Sequence, residues 1–273
     1  MENIQSIFRE VQQSFSDTEP VGELIARLNV YEPEFRSVAF EAAAMCVALN
    51  YFLKGNSLLS WKEFLKLSGG KHNTQIHIGM GWALAQQAAE PTAYLKECPP
   101  MMRYRLMDGY GYYEGIFRKR KTIISRQAPD WNDETAKSAY DQGLGRSIWY
   151  LNGGKPKEVQ QMMEGFEERR MRDLWRGLGI ALCYVGGVDE HIIYKIKSAA
   201  GKYLPQFSAG VLMAAASRVE ADSVNQDTKV VATRVCNKTP QELWKESNVI
   251  KTNLETDENA YAKWIEALEV LFV

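Results

Sequence analysis

Five polar residues recur at one place in the sequence pattern, and their types suit acid–base and anion-binding chemistry. His77 stands two residues before a Gly-x-Gly triplet at Gly79. Asp108, Gln142 and Arg176 stand immediately before triplets at Gly109, Gly143 and Gly177, and Glu41 holds the matching place in a copy without glycine. Asp108 beside His77 would form a proton-transfer dyad, and Arg176 would hold an anionic end such as a carboxylate. Glu114 is the sharpest candidate, because it falls where other copies carry Leu84, Ile148 and Leu182. An unpaired acid at such a core-like position has a raised pKa and serves as a general acid or base. With a Tyr hydroxyl or Arg118, one helical turn on, as its partner, it is structural instead. The catalytic candidates are therefore Glu114, Asp108 and His77. The candidates for substrate binding are Arg176, Gln142, Tyr112, Arg146 and Glu41. The alternative for the whole column is a ladder of hydrogen bonds and ion pairs between repeats, Asp108 with Arg176 for instance.

The elements that position these residues follow from the repeat. The first glycines of the four triplets lie 30, 34 and 34 residues apart, and a weaker copy at Gly210 follows after 33. Residues 101–120, 133–151 and 168–185 hold no proline and many good helix formers, so each triplet is expected inside a helix. Gly-Gly at 153–154 and 186–187 reads as a helix end, Pro156 as a first helical position and Asp189 as an N-cap. Second amphipathic stretches, 158–166 and 191–199, complete a helix–turn–helix unit. The fold class is thus all-α, with tandem helical hairpins of about 33–34 residues curled into one domain. Residues 1–34 are read as an N-terminal cap, 35–220 as the repeats and 221–273 as a C-terminal cap.

A glycine inside a helix costs about 1 kcal/mol relative to alanine. Eight of them cost roughly 8 kcal/mol, as much as the whole stability of many domains. Residues i and i+2 lie on nearly opposite sides of a helix, so one glycine can admit the preceding helix and the other the following one. The rival reading is that the missing side chains leave room for a ligand, or that the helix breaks there. No strand precedes any triplet, which argues against a dinucleotide-binding turn.

Composition narrows the function classes. The 273 residues carry 33 Lys+Arg against 34 Asp+Glu, a net charge of −1, which excludes bulk phosphate neutralisation and so nucleic acid. The longest apolar run, 42–49, is too short for a membrane span. The beginning of the chain reads acidic rather than basic and apolar, unlike a secretion signal. Four scattered cysteines without a Cys-x-x-Cys pair suggest a cytoplasmic, thiol-bearing protein. Three dispersed histidines make no metal cage, and no cofactor motif is present. Aromatics make up 11% of the chain and recur in the repeats at Trp82, Tyr112, Trp149, Tyr150, Trp175 and Tyr184. On a concave face they would suit a long hydrophobic or unsaturated ligand.

The ordered motifs Phe35-Arg-Ser-Val-Ala-Phe-Glu41, His77-Ile-Gly-Met-Gly-Trp-Ala83, Asp108-Gly-Tyr-Gly-Tyr-Tyr-Glu-Gly-Ile-Phe117, Gln142-Gly-Leu-Gly-Arg-Ser-Ile-Trp149 and Arg172-Asp-Leu-Trp-Arg-Gly-Leu-Gly179 cover about residues 35–220. In them the chain resembles an uncharacterised bacterial family whose members are named UnbL-like enediyne biosynthesis proteins. The resemblance implies bacterial secondary metabolism acting on a polyene chain made by a polyketide synthase, and it supplies no reaction. Two functions are carried forward. One is an enzyme or enzyme component that works by acid–base chemistry on a hydrophobic polyunsaturated intermediate, with biosynthetic partner proteins. The other is a non-catalytic scaffold or carrier for a protein or a hydrophobic ligand.

Overall fold

The computed structural model describes the chain apart from Met1, residues 56–59 and Glu255, and for Glu2 and Asn3 the backbone alone. The described residues form fourteen α-helices and no strand. In chain order the first seven are α1 (Glu2–Ser14), α2 (Val21–Leu28), α3 (Pro33–Ala48), α4 (Trp61–Leu67), α5 (Asn73–Gln86), α6 (Arg103–Phe117) and α7 (Glu134–Leu151). The rest are α8 (Pro156–Met163), α9 (Glu168–Val185), α10 (Glu190–Ala200), α11 (Leu204–Glu220), α12 (Gln226–Cys236), α13 (Pro240–Asn253) and α14 (Ala260–Val270). None of the described helices is long and apolar enough to cross a membrane.

Local chemistry sets the ends. The Asp133 carboxylate accepts from Ala136 N at 2.9 Å and starts α7. Pro156 opens α8, and Thr239 with Glu242 forms a capping box on α13. Gly153, Gly154, Gly186 and Gly187 all have positive φ and end α7 and α9, as their pairing in the sequence suggests. Asp189 precedes α10, but its side chain makes no cap hydrogen bond.

The glycines lie inside unbroken helices, and neighbouring backbone fills the space beside them. A Cβ on the first glycine of each copy would collide with a carbonyl oxygen of the preceding triplet helix: Glu41 for Gly79, Ile78 for Gly109, Asp108 for Gly143, Gln142 for Gly177 and Arg176 for Gly210. A Cβ on the second would collide with the following helix, at Leu106 for Gly81, Tyr140 for Gly111, Leu174 for Gly145 and Phe207 for Gly179. Helices α3, α5, α6, α7, α9 and α11 therefore pack in succession in one register. Each glycine brings its Cα against a carbonyl oxygen. Such contacts contribute about 0.5–1 kcal/mol apiece and so offset most of the propensity cost.

The row curls back on itself. Gln75 of α5 donates to Ser217 Oγ of α11 at 3.0 Å, and Arg218 of α11 reaches the Glu34 carbonyl of α3 at 3.3 Å and the Tyr184 carbonyl of α9 at 2.5 Å. Helix α1 packs on α3, and α13 and α14 pack on α11. The charged stretch 167–173 reads as an exposed helix start, yet Arg170 is buried. It makes two hydrogen bonds to the Asp141 carboxylate, at 2.6 and 2.8 Å. Sequence charge alone does not reveal that α7 supplies this partner.

Candidate functional site

A cavity of about 370 Å³ opens where the C-terminal halves of α6, α7 and α9 meet α1, α3 and α5. Its aromatic wall comes from Phe8, Trp82, Tyr112, Phe117, Tyr150 and Tyr184. Trp82 is the hub of that wall. Its ring centroid lies 5.0 Å from Phe8, 5.2 Å from Tyr112 and 6.0 Å from Phe117, the last two edge to face. Helix α1 closes one side with Gln5, Phe8, Arg9 and Gln12, and Gln5 donates to the Tyr150 hydroxyl.

Two buried ionisable side chains reach this cavity, Glu41 from the polar column and Arg146 from the second half of α7. Glu41, 7% exposed, makes no hydrogen bond or ion pair among the described residues. Burial pushes its pKa up to about 7, against the pull of Arg146 and with the help of the Asp108 charge. Arg146 donates through Nη1 to Asp108 and lies 4.4 Å from the centre of the Tyr112 ring. Its other guanidinium nitrogens make no hydrogen bond among the described residues. Burial also raises the pKa of the Tyr112 and Tyr184 hydroxyls, so both stay neutral. The Trp82 Nε1 and Tyr184 hydroxyl are buried without a hydrogen-bond partner. Ser37, the polar neighbour of Tyr184, is already bonded to His72 Nδ1 at 3.0 Å.

Behind the cavity the column continues as a bonded chain. Asp108, fully buried, accepts from Arg146 and from Gln142 Nε2. Gln142 Oε1 accepts from Arg176 Nε at 2.6 Å. Arg176, 1% exposed, donates to Glu269 at 3.0 Å, Ser138 at 2.9 Å and Asp173 at 2.5 Å. Glu269 of α14 also accepts from Arg172 at 2.7 Å and Gln206 at 2.8 Å. Burial alone would push Glu269 up, but Arg176, Gln206 and Arg172 together hold it below the ordinary carboxylate range.

The structure thus divides the candidates. Glu41, Tyr112 and Arg146 share the cavity. Asp108 stands one layer back as the anchor of Arg146, and Gln142 joins it to Arg176, which faces a separate recess beside α14. The expected Asp108–Arg176 ion pair gives way to this bridge. Glu114 is paired with Arg118 and accepts from the Tyr140 hydroxyl at 2.8 Å, in another recess. His77 is neutral and shares no hydrogen bond with Asp108 or its partners Arg146 and Gln142. Burial lowers its pKa to about 4, its Nδ1 pairs with the Asn73 carbonyl at 2.8 Å, and Trp61 packs edge-on to it. No Asp108–His77 dyad forms. Among the described residues no group of three or more His, Cys, Asp or Glu is placed to hold a metal ion.

Sequence reading missed the α1 contribution and Glu269. The first hides in an ordinary amphipathic helix. The second is one of two acids, with Glu266, in the largely apolar run 261–273, and nothing in the local pattern sets it apart from that neighbour.

No curated protein and no solved structure matches the chain. A family match does span it, over residues 1–272, and by that match the chain belongs to the family described as "Protein of unknown function (DUF1702)".

Proposed function

We propose that this protein is an enzyme, or the acid–base component of one, acting on a hydrophobic unsaturated small molecule held in the α1-covered cavity, with Glu41 as the proton-transfer group. The observation that carries this reading is the unpaired Glu41 carboxyl on an aromatic cavity wall. Glu114 and Asp108 are committed to partners, whereas Glu41 is free to exchange a proton. A carboxyl that titrates at about 7 offers both of its forms at neutral pH, the condition general acid–base catalysis favours. The cavity is the size of an ordinary small-molecule site.

As the acid, Glu41 delivers a proton to one carbon of an unsaturated chain. As the carboxylate, it removes a proton from another. The net result is a double-bond shift or a ring closure in which substrate and product are isomers. Arg146, steadied by Asp108, supplies the positive charge that the ionised Glu41 needs. The likeness of the repeat motifs to UnbL-like proteins supports a place in bacterial secondary metabolism and makes a polyketide-derived polyene the first substrate class to try.

The test compares metabolites of a deletion strain complemented with the wild-type gene, with Glu41→Gln or with Ala181→Trp, which fills the cavity. Product formation should fall about 100-fold or more with Glu41→Gln, since general acid–base groups contribute 10²–10⁴, while the purified variant keeps its fold. Full output from Glu41→Gln would overturn the catalytic role. If Ala181→Trp then still abolished output, the protein would be a carrier rather than a catalyst.

A further inference from the structure

We infer that the polar end of this cavity is built for a carbonyl oxygen, so that the ligand is a conjugated ketone or aldehyde whose oxygen sits between Glu41 and Arg146 and whose apolar body lies against the aromatic wall. This rests on the reading of the cavity as a ligand site and adds the functional group it recognises.

The polar groups on the cavity wall are mainly donors. Arg146 uses one nitrogen on Asp108 and keeps its remaining N–H groups free. The Glu41 carboxyl has no acceptor or donor to satisfy it among the described residues, and Arg146 is the opposing charge that acts on it. In its protonated form Glu41 offers an O–H. A carbonyl oxygen has two lone pairs and so accepts from both. The charge balance points the same way. Arg146 and Asp108 already neutralise each other, and with a protonated Glu41 the cluster is neutral. A neutral head group adds no uncompensated buried charge, whereas a carboxylate would.

The donor role of Glu41 makes binding depend on pH. The groups facing Glu41 are Asp108 and Tyr112 from α6, Arg146 and Tyr150 from α7, Tyr184 from α9 and Arg9 from α1. Arg146, held charged by Asp108 and Glu41, and the buried, neutral Tyr112 and Tyr184 keep their charge states through neutral pH, whereas Glu41 changes its own.

The probe pair is β-ionone and β-ionol, which share one conjugated carbon skeleton and differ as ketone and alcohol. Binding is followed by quenching of tryptophan fluorescence, to which Trp82 in the wall contributes, and by the absorbance of the enone. At pH 6 the ketone should bind about tenfold tighter than the alcohol, the value of one good hydrogen bond to an ionic or acidic donor, with a red-shifted enone band. Above pH 8 that advantage should shrink. In Glu41→Gln, whose amide still donates, ketone binding should persist but lose its pH dependence. Arg146→Lys, which can keep the pair with Asp108 but lacks the planar guanidinium fork that spans Asp108 and the cavity, should lose the red shift. Equal binding of ketone and alcohol at both pH values would overturn the carbonyl assignment while leaving the cavity reading intact. Binding of neither probe, with Ala181→Trp behaving as wild type, would overturn both.

Discussion

Two glutamates, one in the α1-covered cavity and one in the recess beside α14, are almost equally buried and behave in opposite ways. Glu41 on α3 is 7% exposed and Glu269 on α14 is 6% exposed. Glu269 meets three donors, Arg172, Arg176 and Gln206, and its charge is held below the ordinary pKa range. Glu41 meets none and is pushed up to about 7. Burial is common to both, so the difference lies in partners. At the α14 end polar groups close on one another and contribute structure. At the α1 end an acid stays unsatisfied beside an open volume, a state that selection for stability alone does not favour.

The largest test of this contrast is Asp108→Asn. Removing one member of a buried ion pair leaves Arg146 uncompensated, and the expected loss is about 3 kcal/mol in urea unfolding. The same change removes a negative neighbour of Glu41 and releases Arg146 to it, so the Glu41 titration should move down from about 7, readable by carbon NMR of the labelled carboxyl. An unmoved titration would mean that Asp108 and Arg146 do not set the proton affinity of Glu41.

Gly143→Ala tests the frame that holds both ends. Its Cβ would overlap the Asp108 carbonyl, and the expected loss is about 3 kcal/mol. Gly22→Ala in α2 is the control. Nothing lies within 4 Å of its Cβ, and there alanine should stabilise by about 0.5–1 kcal/mol. Similar effects at both positions would show that close helix approach is not what the glycine pairs provide.

Glu41→Gln should act in the opposite direction to most core substitutions. The folded state holds the Glu41 proton more tightly than the unfolded chain does, about 7 against 4.5. Stability therefore falls as pH rises through that interval, and the full deficit, about 3 kcal/mol, is present above pH 7. Glutamine carries no such deficit. The variant should be more stable than wild type at pH 8 and nearly equal to it at pH 4, as measured by melting across pH. Glu269→Gln should instead lose stability at pH 8, because it removes a paired charge. If both variants shifted the same way, the distinction between the two ends would collapse.

Much of the fold was legible in the chain. The spacing of the Gly-x-Gly triplets and the proline-free stretches around them mark α6, α7 and α9 almost to their ends, and Gly153-Gly154 and Gly186-Gly187 mark where two of those helices stop. The site was legible only in part. Repetition identified Glu41, Asp108, Gln142 and Arg176 as equivalent positions, and the carbonyl of each makes the same close contact with a glycine of the next helix in the row. It could not tell which of them would be paired.

The sequence by itself determined the helices and their shared register, since helix propensity, caps and glycine spacing act over a few residues or repeat at a fixed period. Only the tertiary structure decided which acid stays free. Glu114 finds Arg118 four residues away, but Asp108 finds Arg146 38 residues on and Arg176 finds Glu269 93 residues on. Whether a carboxyl is a structural strut or a titrating group depends on what the curled chain brings within a few ångströms, and local pattern carries no record of that distance.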